Sequence, residues 1–234
     1  MDISIIIPVF NEENTVAALH ENITRLIKEL GASCEMIFIN DGSFDASPRI
    51  LQQLKSTDSG VIVINFEKRY GKESALAAGF SAAKGEKIIT IDSDMQIDSR
   101  DILRILDGLR DSHAVIGYRT NRLETDGFIK FASSKIANYI RNFILRENFK
   151  DVGCSLQGYR RECLRGLKLY SGFHVYILSL LHNAGYTIKE IPIKTKKRQY
   201  GKSNFNIHNR IFKGLAALFV VKWMLANRLK YNVR

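Results

Sequence analysis

The stretch "IITIDSDMQID", residues 88–98, places carboxylates directly behind a run of apolar and β-branched residues. Residues 88–91 have the composition of a buried strand, and Asp92 and Asp94 stand where that strand ends. Two carboxylates at this spacing repel each other, so a positive partner is expected beside them. A hard divalent cation, Mg²⁺ or Mn²⁺, meets this need and can also hold phosphate oxygens. A strand that simply ends in solvated acids is the alternative.

Short β-branched runs alternate with helical patterns on both sides of this stretch. The predicted strands are residues 3–9, 35–40, 61–66, 87–92, 114–118 and 187–195, and the predicted helices are 16–30, 47–56, 72–85, 100–111, 128–147, 172–185 and 207–231. This alternation predicts an α/β fold with a Rossmann-like, mostly parallel sheet flanked by helices and with a helical C-terminal region. Ligands bind beyond the carboxyl ends of such strands, where the clusters "NEEN", "NDGS" and "DSD" fall.

The composition limits the classes of function. A chain of 234 residues with 45% hydrophobic and 25% charged residues fits one globular domain. The three cysteines have neither metal nor redox spacing, which favours reduced thiols and a cytoplasmic location. The net charge of +11 predicts an anionic partner, whether nucleic acid, anionic lipid or a phosphorylated substrate.

The last predicted helix is a candidate for contact with a membrane. Its apolar centre, residues 214–221, lies between Lys213 and Lys222 and is far shorter than the ~20 residues that a bilayer span requires. Trp223 and the flanking cations of residues 210–234 predict a helix that lies in the interface of an anionic membrane. Packing on the core or on a second subunit is the alternative, which leaves a homo-oligomer open.

Several motifs, in order along the chain, carry a family resemblance. The segments are "IIIPVFNEEN", "IFINDGSFD", "KRYGKESALAAG", "IDSDMQ", "GYR" and "RQYGKS". Together they resemble the inverting GT-A glycosyltransferases that include dolichyl-phosphate mannose synthase and the bacterial polyprenyl-phosphate glycosyltransferases. The resemblance reaches to about residue 225. It implies one GT-A catalytic domain, 1–234, with a nucleotide-binding half (1–120), an acceptor half (121–204) and a basic amphipathic C-terminal helix (205–234).

The resemblance also implies roles for individual residues. On the donor side, the nucleotide pocket is lined by Pro8, Val9, Asn11 and Glu12, and Asp41 hydrogen-bonds the base. Metal and diphosphate are surrounded by Asp92, Asp94 and Gln96, and the phosphate clamp is completed by Lys72, Arg119, Arg122, Arg198, Lys202 and Ser203. Asp94, Arg119 and Asp151 are the predicted catalytic residues. The chain departs from the family at Leu156 and Gln157, where relatives carry Phe-Arg.

The expected function is metal-dependent, inverting transfer of a sugar from a UDP- or GDP-sugar to a dolichyl or undecaprenyl phosphate. The enzyme would act peripherally at the inner face of an anionic membrane. One alternative is transfer to a saccharide hydroxyl in cell-surface polysaccharide synthesis. A phosphohydrolase with Asp92 as nucleophile and Asp94 as acid is disfavoured by Met95 and Gln96. A nucleic-acid-binding module is disfavoured because the densest basic run, residues 194–203, carries one aromatic residue, Tyr200.

Overall fold

The computed structural model describes residues 1–167, 170, 172–197 and 207–227. The predicted phosphate contacts of Arg198, Lys202 and Ser203 therefore lie outside the described residues, as do the last residues of the predicted membrane helix. Within these ranges, the structure does not describe the side chains of residues 207–213, Asp126, Lys130 and Leu215.

The described chain alternates strands and helices. The strands are β1 (Ile3–Val9), β2 (Cys34–Asn40), β3 (Val61–Asn65), β4 (Lys87–Thr90), β5 (Ala114–Arg119), β6 (Gln157–Arg160) and β7 (Ile188–Ile193). The α-helices are α1 (Val16–Leu30), α2 (Ser47–Thr57), α3 (Lys72–Ala82), α4 (Asp101–Gly108), α5 (Arg122–Asp126), α6 (Phe128–Leu145), α7 (Ile177–Asn183) and α8 (Ile207–Ala226).

All the strands belong to one seven-stranded sheet with the order β3-β2-β1-β4-β6-β5-β7. Every pairing is parallel except those of β6, which runs antiparallel to both β4 and β5. The predicted α/β architecture is confirmed. Strands on both sides of residue 120 share this sheet, and the division into a nucleotide-binding and an acceptor half stays a prediction.

The continuous apolar runs of the central strands follow from burial on both faces. Ile5 and Ile7 of β1 lie in one cluster with Leu19 and Ile23 of α1. Ile6 points to the other face and lies in a second cluster, which includes Leu76 of α3. Because helices cover both sides, every residue of β1 except Pro8 is buried, and the period-two alternation of a half-exposed strand is absent.

The boundaries differ from the sequence prediction at informative places. β4 ends at Thr90, two residues earlier than expected, because the chain turns to present Asp92 and Asp94. The helix predicted over 172–185 is divided into a 3₁₀ turn, Phe173–Tyr176, and α7. Strand β6 was not predicted. Its four residues include Gly158 and end with Arg160, so they lack a β-branched pattern.

One face of α8 packs on the protein. Ala217, Leu218 and Val221 form a buried cluster with Phe173 and Tyr176. Phe219, Val220 and Trp223 of the same helix remain exposed. In the parts of the chain that the structure describes, no helix combines the length and apolarity that crossing a bilayer requires.

Gly158 tests how tightly the sheet packs on α4. A Cβ added there would collide with Ile105 and would also lie 3.1 Å from Leu109. We expect Gly158→Ala to lower the free energy of unfolding by about 1–3 kcal/mol, the usual cost of overpacking a core. Urea denaturation monitored by circular dichroism measures this.

Gly214→Ala is the matched control, because a Cβ at that position in α8 meets no atom within 4 Å. Alanine is favoured over glycine in a helix by up to about 1 kcal/mol, so this variant should be neutral or more stable. Equal stability of the two variants would contradict the close packing of β6.

Candidate active site

The carboxyl ends of β1, β2 and β4 are tied together by direct hydrogen bonds. The backbone N–H of Asp41 donates to the carbonyl of Val9 at 2.8 Å, and the Ser93 hydroxyl donates to the carbonyl of Pro8 at 2.9 Å. Asn11 and Met95 adopt left-handed backbone conformations, with φ of 56° and 55°. Left-handed residues reverse the chain sharply, so each loop folds back at the edge of the sheet.

The Asp92 carboxylate has a positive partner within the protein. Lys72, the first residue of α3, places its Nζ 2.5 Å from Asp92 Oδ1. Partial burial raises the pKa of Asp92, but the charge of Lys72 and its hydrogen bond outweigh this, so the pKa lies below its usual value. Asp92 is therefore ionised at neutral pH, which the binding of a divalent cation by this carboxylate would require.

Asp41 holds the loop that leads to Lys72. Its carboxylate accepts hydrogen bonds from the backbone N–H groups of Tyr70 and Gly71, the latter at 2.9 Å to Oδ2. The loop in turn places the Arg69 guanidinium 4.1 Å from the centre of the Phe10 ring. Asp41 thus has a structural role that the sequence did not indicate, and its contact with a base stays a prediction.

The predicted metal residues line one small cavity. Its volume is about 50 Å³, and its walls are formed by Asp92, Asp94, Gln96, Ile97, Arg119, Gly153, Ser155 and Thr195. Asp94 Oδ1 accepts the backbone N–H of Gln96 at 3.2 Å, which folds the turn around the cavity. A larger groove of about 270 Å³ lies between α4 and β7 and includes none of the predicted site residues.

The donor set suits a hard cation. Among residues 1–167, 170, 172–197 and 207–227, no three His, Cys, Asp or Glu side chains are grouped as a complete metal site. Asp92 and Asp94 nevertheless offer carboxylate oxygens at a cavity wall, as Mg²⁺-type sites do when substrate phosphates and water supply the remaining ligands. The residues present fit a divalent cation that binds together with its substrate.

A second charged cluster stands at the end of β5. Asp151 is 6% exposed, and its carboxylate accepts two hydrogen bonds from the Arg119 guanidinium, from Nε at 2.7 Å and from Nη2 at 3.0 Å. Arg122 Nη1 lies 3.3 Å from the same carboxylate. Arg119 also lines the cavity of Asp92 and Asp94. Asp151 therefore fixes the position of a guanidinium that lines the same cavity as Asp92 and Asp94.

The charge of Asp151 is set by these arginines. Desolvation raises the pKa of Asp151. The hydrogen bonds and charge of Arg119, together with the charge of Arg122, lower this pKa by a larger amount, so the net shift is downward. A carboxylate held ionised in this way accepts a proton poorly. Cys154 is a neutral thiol, because burial raises its pKa to about 12.

A third contact fixes the beginning of α3. Glu73 Oε1 lies 2.8 Å from His174 Nδ1 and accepts the backbone N–H of Gly172 at 3.1 Å. The hydrogen bond from His174 lowers the pKa of Glu73 to about 2. Since Glu73 follows Lys72 directly, this contact connects the C-terminal half of the protein to the lysine that faces Asp92.

The structure therefore brings most of the predicted residues together. Lys72, Asp92, Asp94, Gln96 and Arg119 share one cleft, with Asp151 and Arg122 behind Arg119. Pro8, Val9, Asn11 and Asp41 lie at the adjoining strand ends. Glu12 is buried, and its backbone N–H donates to Ser47 Oγ at the beginning of α2. The prediction missed Gly153 and Ser155, which lie before β6, and Thr195, which follows β7; none of them belongs to a site motif.

The mostly parallel sheet, with acids at the end of β4 and cations around them, defines an α/β fold of the GT-A type. The family model described as "Glycosyl transferase family 2" matches residues 4–167. The chain belongs to glycosyl transferase family 2.

Relatives and solved structures agree with this assignment. The chain is 30% identical over 205 residues to the undecaprenyl-phosphate 4-deoxy-4-formamido-L-arabinose transferase of Proteus mirabilis, covering 87% of this chain and 63% of that protein. It is also 30% identical to the protein of the same name from Yersinia pestis, covering 88% and 63%. The chain thus spans less than two thirds of these relatives.

Two solved structures share the fold. Glucosyl-3-phosphoglycerate synthase from Mycobacterium tuberculosis, in complex with Mn²⁺ and UDP-glucose, superposes with a TM-score of 0.70 at 17% identity, covering 94% of this chain and 78% of that one. A mannosyltransferase from Pyrobaculum calidifontis, in complex with GDP-mannose and Mn²⁺, gives 0.65 at 18% identity, covering 99% and 65%. The similarity extends over nearly the whole chain.

The Asp151 cluster predicts a pH-dependent stability. Asp151→Asn should lower the free energy of unfolding at pH 7 by roughly 3 kcal/mol, because removing one partner leaves buried arginine charge uncompensated. A lowered pKa stabilises the folded state above the ordinary Asp value of 3.8, and this contribution is lost as the pH falls through the folded-state pKa. The difference in the free energy of unfolding between Asp151→Asn and wild type should therefore shrink as the pH falls below 3.8. Urea denaturation at a series of pH values measures this.

Asp107→Asn is the control, because that carboxylate is exposed beside Arg110. Surface pairs contribute about 0–1 kcal/mol, so little change is expected. A difference for Asp151→Asn that stays constant from neutral to acidic pH would contradict the ionised state of Asp151.

Proposed function

We propose that this protein transfers a sugar from a UDP- or GDP-sugar to a polyprenyl phosphate, with inversion at the anomeric carbon and with Mg²⁺ or Mn²⁺ as cofactor. The observation that carries the proposal is the single cleft in which Asp92 and Asp94 face Arg119, with Lys72 beside Asp92. Acids for a cation and basic residues for phosphates are the groups that a sugar diphosphate and a phosphate acceptor both require. The undecaprenyl-phosphate transferases among the relatives support the choice of acceptor.

The donor nucleoside is assigned to the ends of β1 and β2. Pro8, Val9, Asn11 and Asp41 surround this region, and the Phe10 ring stands beside them with the Arg69 guanidinium over it. Asp41 retains acceptor capacity beyond its hydrogen bonds to Tyr70 and Gly71, because a carboxylate offers about four lone-pair sites. Asp41 can thus contact a base and order the Lys72 loop at the same time.

The diphosphate is assigned to the turn after β4. Asp92, Asp94 and Gln96 would hold the divalent cation, and the cation, when bound, neutralises the charge that develops on the departing nucleoside diphosphate. Lys72 adds an ammonium that pairs with Asp92, and in the proposed complex it would turn to a phosphate oxygen. Arg198, Lys202 and Ser203, outside the described residues, remain predicted contributors to the same clamp.

The acceptor is assigned to the Arg119 side of the cleft. A phosphate monoester has a second pKa near ~6 and is largely ionised at neutral pH, so its oxygen attacks without a strong general base. Arg119 is aimed and held by Asp151, which suits a role in positioning phosphate. This arrangement favours a phosphate acceptor over a saccharide hydroxyl, which would need a base.

The first test removes the metal-binding charges. We expect Asp92→Asn and Asp94→Asn to lose most transferase activity, because several kcal/mol of transition-state stabilisation correspond to about 10²-fold or more in rate. Nucleotide release from UDP- and GDP-sugars with added Mn²⁺ measures this. Excess chelator should stop the wild-type reaction.

Asp98→Asn is the matched control, since this exposed acid of the same segment caps the backbone N–H of Arg100 at 3.0 Å, which asparagine also does. It should keep near-wild-type activity. Full turnover in chelator, or equal losses in all three variants, would refute the assignment of the cation to Asp92 and Asp94.

The second test decides the acceptor class. If the acceptor is a polyprenyl phosphate, Asp151→Asn should lower the rate by less than ~10²-fold, because Asp151 orients Arg119 and removes no proton. Transfer from radiolabelled donor to undecaprenyl phosphate, with free sugars as competing acceptors, provides the measurement. Collapse of transfer with intact donor binding, together with turnover on a hydroxyl acceptor, would replace the lipid-phosphate assignment with the polysaccharide alternative.

A further inference from the structure

The outward face of α6 carries a continuous apolar stripe. Its exposed members are Phe128, Ile129, Ile136, Tyr139, Ile140 and Phe143. They recur at helical spacing and share one side of the helix. Phe128 is 73% exposed and Phe143 is 77% exposed. Soluble monomers rarely leave contiguous apolar patches of this kind, so the stripe is expected to contact a partner.

The opposite face of α6 is firmly attached to the protein. The buried Arg141 pairs with Glu147 at 2.5 Å and donates to Ser179 Oγ at 2.6 Å. Ser134 accepts a hydrogen bond from Arg122, the residue that also pairs with Asp151. These contacts set the rotation of the helix about its axis. The apolar stripe therefore faces outward as a consequence of the fold.

The charge around the stripe indicates which partner it takes. Residues 127–146 contain no Asp or Glu, and Arg141, which is buried on the inner face, is paired with Glu147. Lys135 and Arg146 are exposed. A second copy of a chain with net charge +11 would bring like charges together, whereas an anionic lipid surface attracts them. Apolar side chains bordered by exposed cations are the pattern of a helix that lies in a membrane interface.

We infer that α6 docks the protein on an anionic membrane, with its apolar stripe in the headgroup region and Lys135 and Arg146 at the lipid phosphates. The inference rests on the proposed function in one respect, which is the assignment of a lipid-phosphate acceptor to the Arg119 side of the cleft. The inner face of the same helix contacts Arg122, so the element that meets the lipid also supports the Asp151 cluster assigned to the acceptor. This surface is distinct from the C-terminal residues 210–234 that the sequence indicated.

The single tryptophan of the chain permits a direct test. Trp223 lies on α8, outside the stripe. The double variant Tyr139→Trp/Trp223→Phe moves the only indole onto the stripe. Vesicles of phosphatidylglycerol should shift its emission to shorter wavelength, and brominated lipids should quench it, whereas phosphatidylcholine vesicles should do neither. A response of the native Trp223 with none from the moved tryptophan would assign docking to α8 and overturn the inference.

A second experiment compares matched pairs of substitutions in the full chain. Ile136→Ser/Phe143→Ser should weaken binding to phosphatidylglycerol vesicles by about tenfold or more, because affinity scales with the apolar area that enters the interface. Leu30→Ser/Leu103→Ser removes two exposed apolar side chains elsewhere and should change binding by less than about twofold. Thermal unfolding of both variants verifies that each is folded. Equal weakening by the two pairs would refute the inference.

Two further measurements separate this inference from its rivals. A wild-type dimer in sedimentation velocity that dissociates in the Ile136→Ser/Phe143→Ser variant, without vesicle binding by wild type, would show that a second copy covers the stripe. Transfer to a short, water-soluble polyprenyl phosphate should be unchanged in this variant. Vesicle binding by a wild-type protein that transfers no sugar would refute the proposed function and leave the docking surface supported.

Discussion

The charge of Asp92 is the constraint around which the cleft is organised. A carboxylate at the end of a buried strand, two residues before another, needs a nearby cation, and the Lys72 ammonium at 2.5 Å provides one. Lys72 stands there because Asp41 binds the backbone N–H groups of the two residues that precede it. The ends of β2 and β4, which are separated by β1 in the sheet, are thereby connected through a loop from β3.

The other side of the cleft depends on a buried ion pair. Asp151 binds Arg119 through two hydrogen bonds and lies near Arg122, so two neighbouring arginines are fixed by an acid about 30 residues further along the chain. Removing charges from water is costly unless each is paired and hydrogen-bonded, and here the geometry meets both requirements. The result is a guanidinium whose position is specified before any substrate binds. Preorganised charge of this kind stabilises a transition state without the cost of reorganisation.

Helix α6 connects this charged interior with the outside of the molecule. Its inner face offers polar side chains to the Asp151 segment, as when Asn138 Nδ2 donates to the carbonyl of Phe149. Its outer face is aromatic and aliphatic. A helix that is apolar on an exposed side is unusual for a surface element, since the free energy of the isolated protein would favour polar residues there. If the outer face contacts lipid, as inferred above, both faces of α6 are accounted for: the inner face binds the Asp151 segment and the outer face enters the membrane interface.

The sequence by itself determined the local elements and the chemistry at their ends. The apolar run of residues 3–9 was confirmed as β1, because a strand that is buried on both faces needs a continuous apolar run. The acids after residue 91 line a cavity beyond the end of β4, and their role in binding a ligand stays a prediction. The pairing of Lys72 with Asp92 and of Arg119 with Asp151 could not be derived, since no local pattern records which distant charges meet. Strand β6 escaped prediction for the same reason: a four-residue segment with Gly158 gains its strand conformation from β4 and β5 on either side. Tertiary structure alone decided these pairings, because hydrogen bonds across a sheet and buried ion pairs stabilise residues that are far apart in the chain and have no individual preference for each other.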